Sequence, residues 1–228
     1  MNDCCPCPQL SPPPASSEAS RSLNVWHWTM RELALTIDEG WAGAGVGGTV
    51  NEVAGEVNRP GIRRLSVDLV ALNNRANLRR GLLPFLFSAA SIRHGFGAAM
   101  RLDVAPTAGV DFVVGAGLLN DNRADTALRR LALWADSSSA NWRVASRDGG
   151  ATTFLPTAVP VTSWADWRVD VVGAVSVHFV NGLWVGNLPV PVSGTLGANM
   201  SIVGLTGVGV PTVRNLDSDY FFEDLPIG

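Results

Sequence analysis

The side chains able to do chemistry are few and scattered. Three histidines, His27, His94 and His178, stand far apart, and the three cysteines, Cys4, Cys5 and Cys7, are crowded into the first seven residues. There is no Gly-x-Ser-x-Gly elbow, no His-Glu-x-x-His pattern and no cysteine later in the chain, so a serine or cysteine nucleophile and a zinc-hydrolase set are not written in. Three thiolates with His27 could begin a metal site, but adjacent Cys4 and Cys5 lack the usual paired spacing. The same cysteines could crosslink subunits or stay reduced. Asp103 and Asp111 are the carboxylates that could be imagined as a pair. Both are expected on outward faces near Arg101, which makes them surface charges. Asn120 to Asp125 is rich in oxygen ligands but has neither the ordered spacing nor the closing glutamate of a calcium loop. His178 is read on the polar side of its strand, as a surface or interface histidine. The expectation is no catalytic residue, no metal and no cofactor.

Aromatic side chains are the other candidates for function. Of eight tryptophans, Trp26, Trp28, Trp41 and Trp184 could offer stacking surfaces to a sugar ring or anchor an interface. Gly40 to Gly48, GWAGAGVGG, has the glycine content of a phosphate loop without its Gly-Lys-Ser/Thr or a following helix, and reads as a flexible loop.

These residues need elements to place them, and the clearest lie between Trp164 and Pro191. Trp167, Val169 and Val171 alternate with Arg168 and Asp170, the period of a half-buried strand. After Gly173, Val175, Val177 and Phe179 alternate with Ser176 and His178. Asn181-Gly182 supplies the two positive φ angles of a type I′ hairpin turn, and Leu183, Trp184 and Val185 return. Upstream, Phe96, Ala98, Met100, Leu102 and Val104 share one strand face, and Val110, Phe112 and Val114 face inward on the next. Ile62, Leu65, Val67 and Leu69 mark another strand, Asn73 to Arg80 has room for one helical turn, and Leu82 to Phe87 reads as a buried segment. Leu131 to Trp134, Trp142 to Val144 and Thr152 to Val161 read as strands. Asn215 to Asp224 closes the chain as a strand whose Asp217 and Asp219 are taken as solvated.

Residues 1–22, with Pro12, Pro13 and Pro14, form a proline- and cysteine-rich arm that cannot hold itself in place, and 23–228 form one domain. All seventeen basic residues are arginine, the net charge is −3 and there is no basic stripe, which argues against nucleic acid. No stretch has the roughly twenty apolar residues of a bilayer span, and the beginning lacks a secretory layout.

The run WRVDVVGAVSVHFVNGLWVGNLP, Trp167 to Pro189, together with the Gly95 to Val114 strand pair, resembles the concanavalin A-like lectin/glucanase superfamily, including laminin-G-like domains. The likeness extends over Ile62 to Asp224 and implies an all-β fold, an antiparallel jelly-roll sandwich. The superfamily's Glu-x-Asp-x-x-Glu strand is absent, so the resemblance does not imply glycoside hydrolysis. The expectation is therefore a non-catalytic structural virion protein, made in a host cytoplasm. It would be a bacteriophage capsid decoration, head fibre or tail fibre appendage that docks to other virion proteins through its arm and forms a homo-oligomer such as a trimer. The alternative is a carbohydrate-binding module for a host-surface glycan.

Overall fold

The computed structural model describes residues 41–224, apart from 58, 60–61, 81–93, 193–194, 208 and 210–211. The arm with its cysteines and prolines, Trp26, Trp28, His27 and the Leu82 to Phe87 segment lie outside the described residues. Every regular element described is a strand: β1 Trp41–Val46, β2 Gly48–Val53, β3 Ile62–Asp68, β4 Arg75–Arg80, β5 His94–Leu102, β6 Phe112–Leu119, β7 Arg129–Ala135, β8 Asn141–Asp148, β9 Thr153–Pro160, β10 Ala165–Val172, β11 Val175–Val180, β12 Leu183–Pro189, β13 Gly197–Gly204 and β14 Val213–Asp224. They form two antiparallel seven-stranded sheets, β1-β4-β13-β6-β7-β8-β9 and β12-β11-β10-β5-β14-β3-β2. The antiparallel sandwich expected from the alternating pattern is what the chain forms.

The two inner faces make one core. Leu65, Met100 and Leu102 of the second sheet and Phe112, Leu118, Leu131, Leu133 and Trp142 of the first are almost wholly buried in it. Phe96 meets Trp167 edge to face, with ring centroids 5.4 Å apart, the arrangement that the ring quadrupoles favour. Asn181 and Gly182 both take positive φ, 51° and 76°, as the hairpin turn requires.

Three local expectations need correction. Within the glycine-rich 40–48 stretch, residues 41–48 are not a loop: they supply β1 and the start of β2, with Gly47 at φ 61° turning between them. Residues 75–80 pair with β1 and β13 as an inner strand rather than forming a helical turn. The third concerns β11. The tight turn at Gly173 sets Val172 opposite Val175, so Trp167, Val169 and Val171 face Val180, His178 and Ser176. Cross-strand partners share a face, and Trp167, Val169 and Val171 are buried. Ser176 and His178 therefore point into the core, while Val175, Val177 and Phe179 point outward.

The first sheet's outer face is partly closed over. Residues 120–127 fold across it, with Ala124 donating its amide to Ser201 Oγ at 2.9 Å and accepting from buried Arg130 at 3.0 Å. Ala124, Ala127, Ala132 and Trp134 are buried there. Arg130 lies 4.3 Å from the centre of the Trp134 ring, and its burial, then the charge of Arg147, push its pKa down to about 10.

Candidate functional site

The outer face of the second sheet gathers the charged groups. Arg101 of β5 stands opposite Asp217 of β14, and Asp217 opposite Arg64 of β3. Directly opposed residues have side chains within reach of one another. Asp217 thus accepts from Arg64 through both oxygens, at 2.7 and 2.9 Å, and from Arg101 at 3.0 Å. Arg101 also donates to Glu56, in the loop before β3, which accepts in turn from the Trp164 indole at 3.1 Å. Arg59 from the same loop pairs with Asp166 and Asp219, each at 3.0 Å. The Arg59 and Arg101 guanidiniums lie 4.2 and 4.8 Å from the Trp164 ring centre, in cation–π range.

A bulge in β14 builds part of this. The β14–β5 register shifts between Ser218 and Tyr220, leaving Asp219 as the extra residue. Asp217 and Asp219 are 3% and 4% exposed, so both are buried groups of a network rather than a solvated strand end.

The electrostatics follow from the pairing. Burial alone would raise the Asp217 pKa, but hydrogen bonds from Arg64 and Arg101 outweigh it and hold the carboxyl below its ordinary value. The Arg101 hydrogen bond, then that of Trp164, lowers Glu56. Its bond to Asp217 raises Arg64. Both carboxylates are thus held ionised, which is not the protonated-and-ionised couple of a glycosidase.

The carboxylates that might have been paired are not brought together. Asp103 accepts from the backbone and side-chain amides of Asn215, at 3.0 and 2.8 Å. Asp111 is held through its backbone by Thr206. In the 120–125 loop, Arg123 binds Asp125 and Thr126 donates to Asp121, so arginine and hydroxyl partners stand where a calcium ion would have to. Among the described residues no group of three or more metal-ligating side chains occurs.

His178 is not a surface group. Its ring is fully buried, nearly parallel to that of Trp167, whose indole N–H donates to Nδ1 at 3.3 Å. Nε2 therefore carries the proton and donates to Ser176 Oγ at 2.8 Å, which donates onward to the Leu188 carbonyl at 2.9 Å. Burial depresses its pKa to about 3. Of the tryptophans read as stacking surfaces, Trp41 lies in β1 with its side chain outside the described part, and Trp184 is 65% exposed on the second sheet's outer face.

No signal in the single sequence joined Arg64, Arg101 and Asp217. The closest was the alternation of Asp217 and Asp219 in the terminal strand, set against the arginines at 63, 64 and 101.

The two antiparallel sheets make a jelly-roll β-sandwich, and solved structures share that fold. A family 7 alginate lyase, A1-II′, in a Tyr-to-Phe variant with bound product, matches at TM-score 0.52 and 10% identity over 73% of this chain and 80% of its own. The alginate lyase from Corynebacterium sp. matches at 0.51 and 11%, over 72% and 77%. A structure of botulinum neurotoxin type C, described by its interaction with two ganglioside molecules, matches at 0.50 and 7%, over 82% of this chain and 44% of that one. No family model matches the sequence. No curated protein matches it.

These likenesses correct the functional expectation. The expectation of a non-catalytic virion component rests on the unanchored arm, the absence of a secretory layout and a sandwich without a recognisable catalytic motif. The same sandwich is shared by alginate lyases, so the missing motif is no sign of an inert scaffold. None of the three likenesses is a bacteriophage, capsid-decoration or tail-fibre protein.

Proposed function

We propose that this chain is a carbohydrate-active enzyme that cleaves a polysaccharide laid across the outer face of its second sheet, by elimination rather than hydrolysis. One observation carries the reading: three arginines fixed by buried carboxylates, beside a tryptophan, on the outer face of a sandwich shared with alginate lyases. Guanidiniums held in place present the remaining N–H donors at fixed angles, which suits hydroxyl and carboxylate groups of a sugar ring. The cluster holds three arginines against Glu56, Asp166, Asp217 and Asp219, so recognition runs through directed hydrogen bonds rather than bulk positive charge.

Elimination also needs a group that moves a proton. His178 is locked beneath the sheet and Glu56 and Asp217 are held ionised. Tyr220, the single tyrosine, occupies the register position opposite Ala99 on β5, just beyond the bulge that places Asp219. A phenol can serve as general acid or base. Two of the alginate lyase structures are Tyr-to-Phe variants, one with product and one with substrate bound, which supports Tyr220 in that role.

The test is turnover of alginate, polygalacturonate and a neutral β-glucan, followed by the absorbance of unsaturated sugar ends. Wild-type protein is expected to cleave at least one uronate polymer. Tyr220→Phe is expected to lower kcat at least a hundredfold, with an unchanged circular dichroism spectrum and melting temperature. Absence of cleavage by the wild type, or a Tyr220→Phe variant at full rate, overturns the reading.

A further inference from the structure

We infer that Trp184, with Phe179 and Arg168, forms a sugar-stacking subsite towards the β12 edge of the second sheet, one that grips the polymer outside the arginine network. The inference rests on the function proposed above and extends it to residues outside that network.

The backbone has been bent to put Trp184 there. Along β12, Leu188 and Gly186 pair with the inward-facing Ser176 and His178, so simple alternation would send Trp184 into the core as well. The β11–β12 register shifts between His178 and Phe179, and Val185 becomes the extra residue of a bulge. Trp184 then stands opposite Phe179, on the outer face. Bulges re-aim side chains in this way. Gly186 takes φ 149° in the bulge, and a Cβ there would meet the Leu155 side chain at 3.0 Å. Val185 packs against the core in the place Trp184 has left.

The result is an aromatic side chain that is held yet uncovered. Trp184 is 65% exposed, and its indole N–H donates to Asn187 Oδ1 at 3.4 Å, which restrains the ring. Phe179, half-buried, lies beside it. Arg168 follows in direct register on β10, and Gly97 on β5 comes next. An apolar plane beside a guanidinium suits a pyranose, which offers an apolar C–H face and a rim of hydroxyls. Strand spacing of about 4.8 Å puts β12 about 19 Å from β14, so only a substrate several sugar units long reaches from Trp184 itself to Asp217.

The experiment compares wild type, Trp184→Ala, Trp184→Phe and, as an exposed neighbour outside the row, Leu183→Ala. KM and kcat are measured on alginate and on its short oligomers, with retardation in alginate-containing native gels and sedimentation as separate readouts. Trp184→Ala is expected to raise KM for the polymer roughly tenfold and to lose gel retardation. The effect on kcat and on short oligomers is expected to be smaller, Trp184→Phe to recover part of the loss, and Leu183→Ala to match wild type. A wild type that cleaves or binds alginate while Trp184→Ala does so equally well overturns the subsite and leaves the proposed function standing. A wild type that neither cleaves nor binds overturns both. A wild type that sediments as an oligomer while Trp184→Ala sediments as a monomer overturns the subsite too, because a second copy of the chain would then be the occupant.

Discussion

At the residue scale, His178 has the clearest consequence. Its Nδ1 accepts from Trp167, so a second proton on the ring would face an N–H donor in a closed core. The folded pKa, about 3, lies below the ordinary value near 6.5, so the unfolded chain binds this proton more readily. The stabilising contribution is fully present above pH 6.5. It falls by about 1.4 kcal/mol per pH unit as the pH drops towards 3. His178→Gln, which keeps an acceptor and a donor without titrating, is expected to be less stable at pH 7. Its denaturation midpoint in urea should also depend less on pH between 6 and 4, and a variant as pH-sensitive as wild type would show that another group sets this window. The sequence concealed His178 because valines at 175 and 177 and a phenylalanine at 179 looked like the apolar face. Only the pairing of Val169 with His178 decides which side goes in. Three successive hydrogen bonds then make burying the two polar side chains tolerable.

At the scale of elements, much was legible. The hairpin turn at Asn181-Gly182, the alternation in β10 and the inward faces of β5 and β6 follow from local residue types and a period of two. What was not legible depended on partners distant in sequence. The glycines of β1 and β2 read as a loop until β3 and β4 are seen beside them. The two bulges that place Asp219 and Trp184 leave no trace in composition. Glycines also mark close approach within the first sheet. Gly117 takes φ 149°, and a Cβ there would lie 2.4 Å from the Leu131 carbonyl oxygen and 2.8 Å from Ala132 Cα. Gly117→Ala must move backbone in the middle of β6 and β7. A loss of about 3 kcal/mol is expected, seen as a melting temperature roughly 10 °C lower by calorimetry. A change under about 0.5 kcal/mol would mean that the strands separate more easily than this contact implies.

At the scale of the whole molecule, Asp217 joins β3, β14 and β5, and through Arg101 also the loop that carries Glu56. Asp217→Asn keeps the shape and removes the charge. It is expected to cost about 2–3 kcal/mol at pH 7, since Arg64 and Arg101 keep some access to water. The folded pKa of Asp217 is depressed, so wild-type stability from this group is present above pH 4 and is lost as the pH falls through the folded value. The gap between wild type and variant should therefore close below about pH 4, where only the lower end of the His178 window remains. A gap that stays constant down to pH 2 would assign the loss to packing instead of charge. Beyond any one side chain, β14 lies between β5 and β3, although those strands are made far earlier in the chain. A nascent polypeptide emerging from the ribosome thus holds the second sheet split in two, with facing edges of β5 and β3 unsatisfied, until β14 arrives. Maturation of this protein becomes a race between emergence of β14 and capture of those waiting edges by another chain.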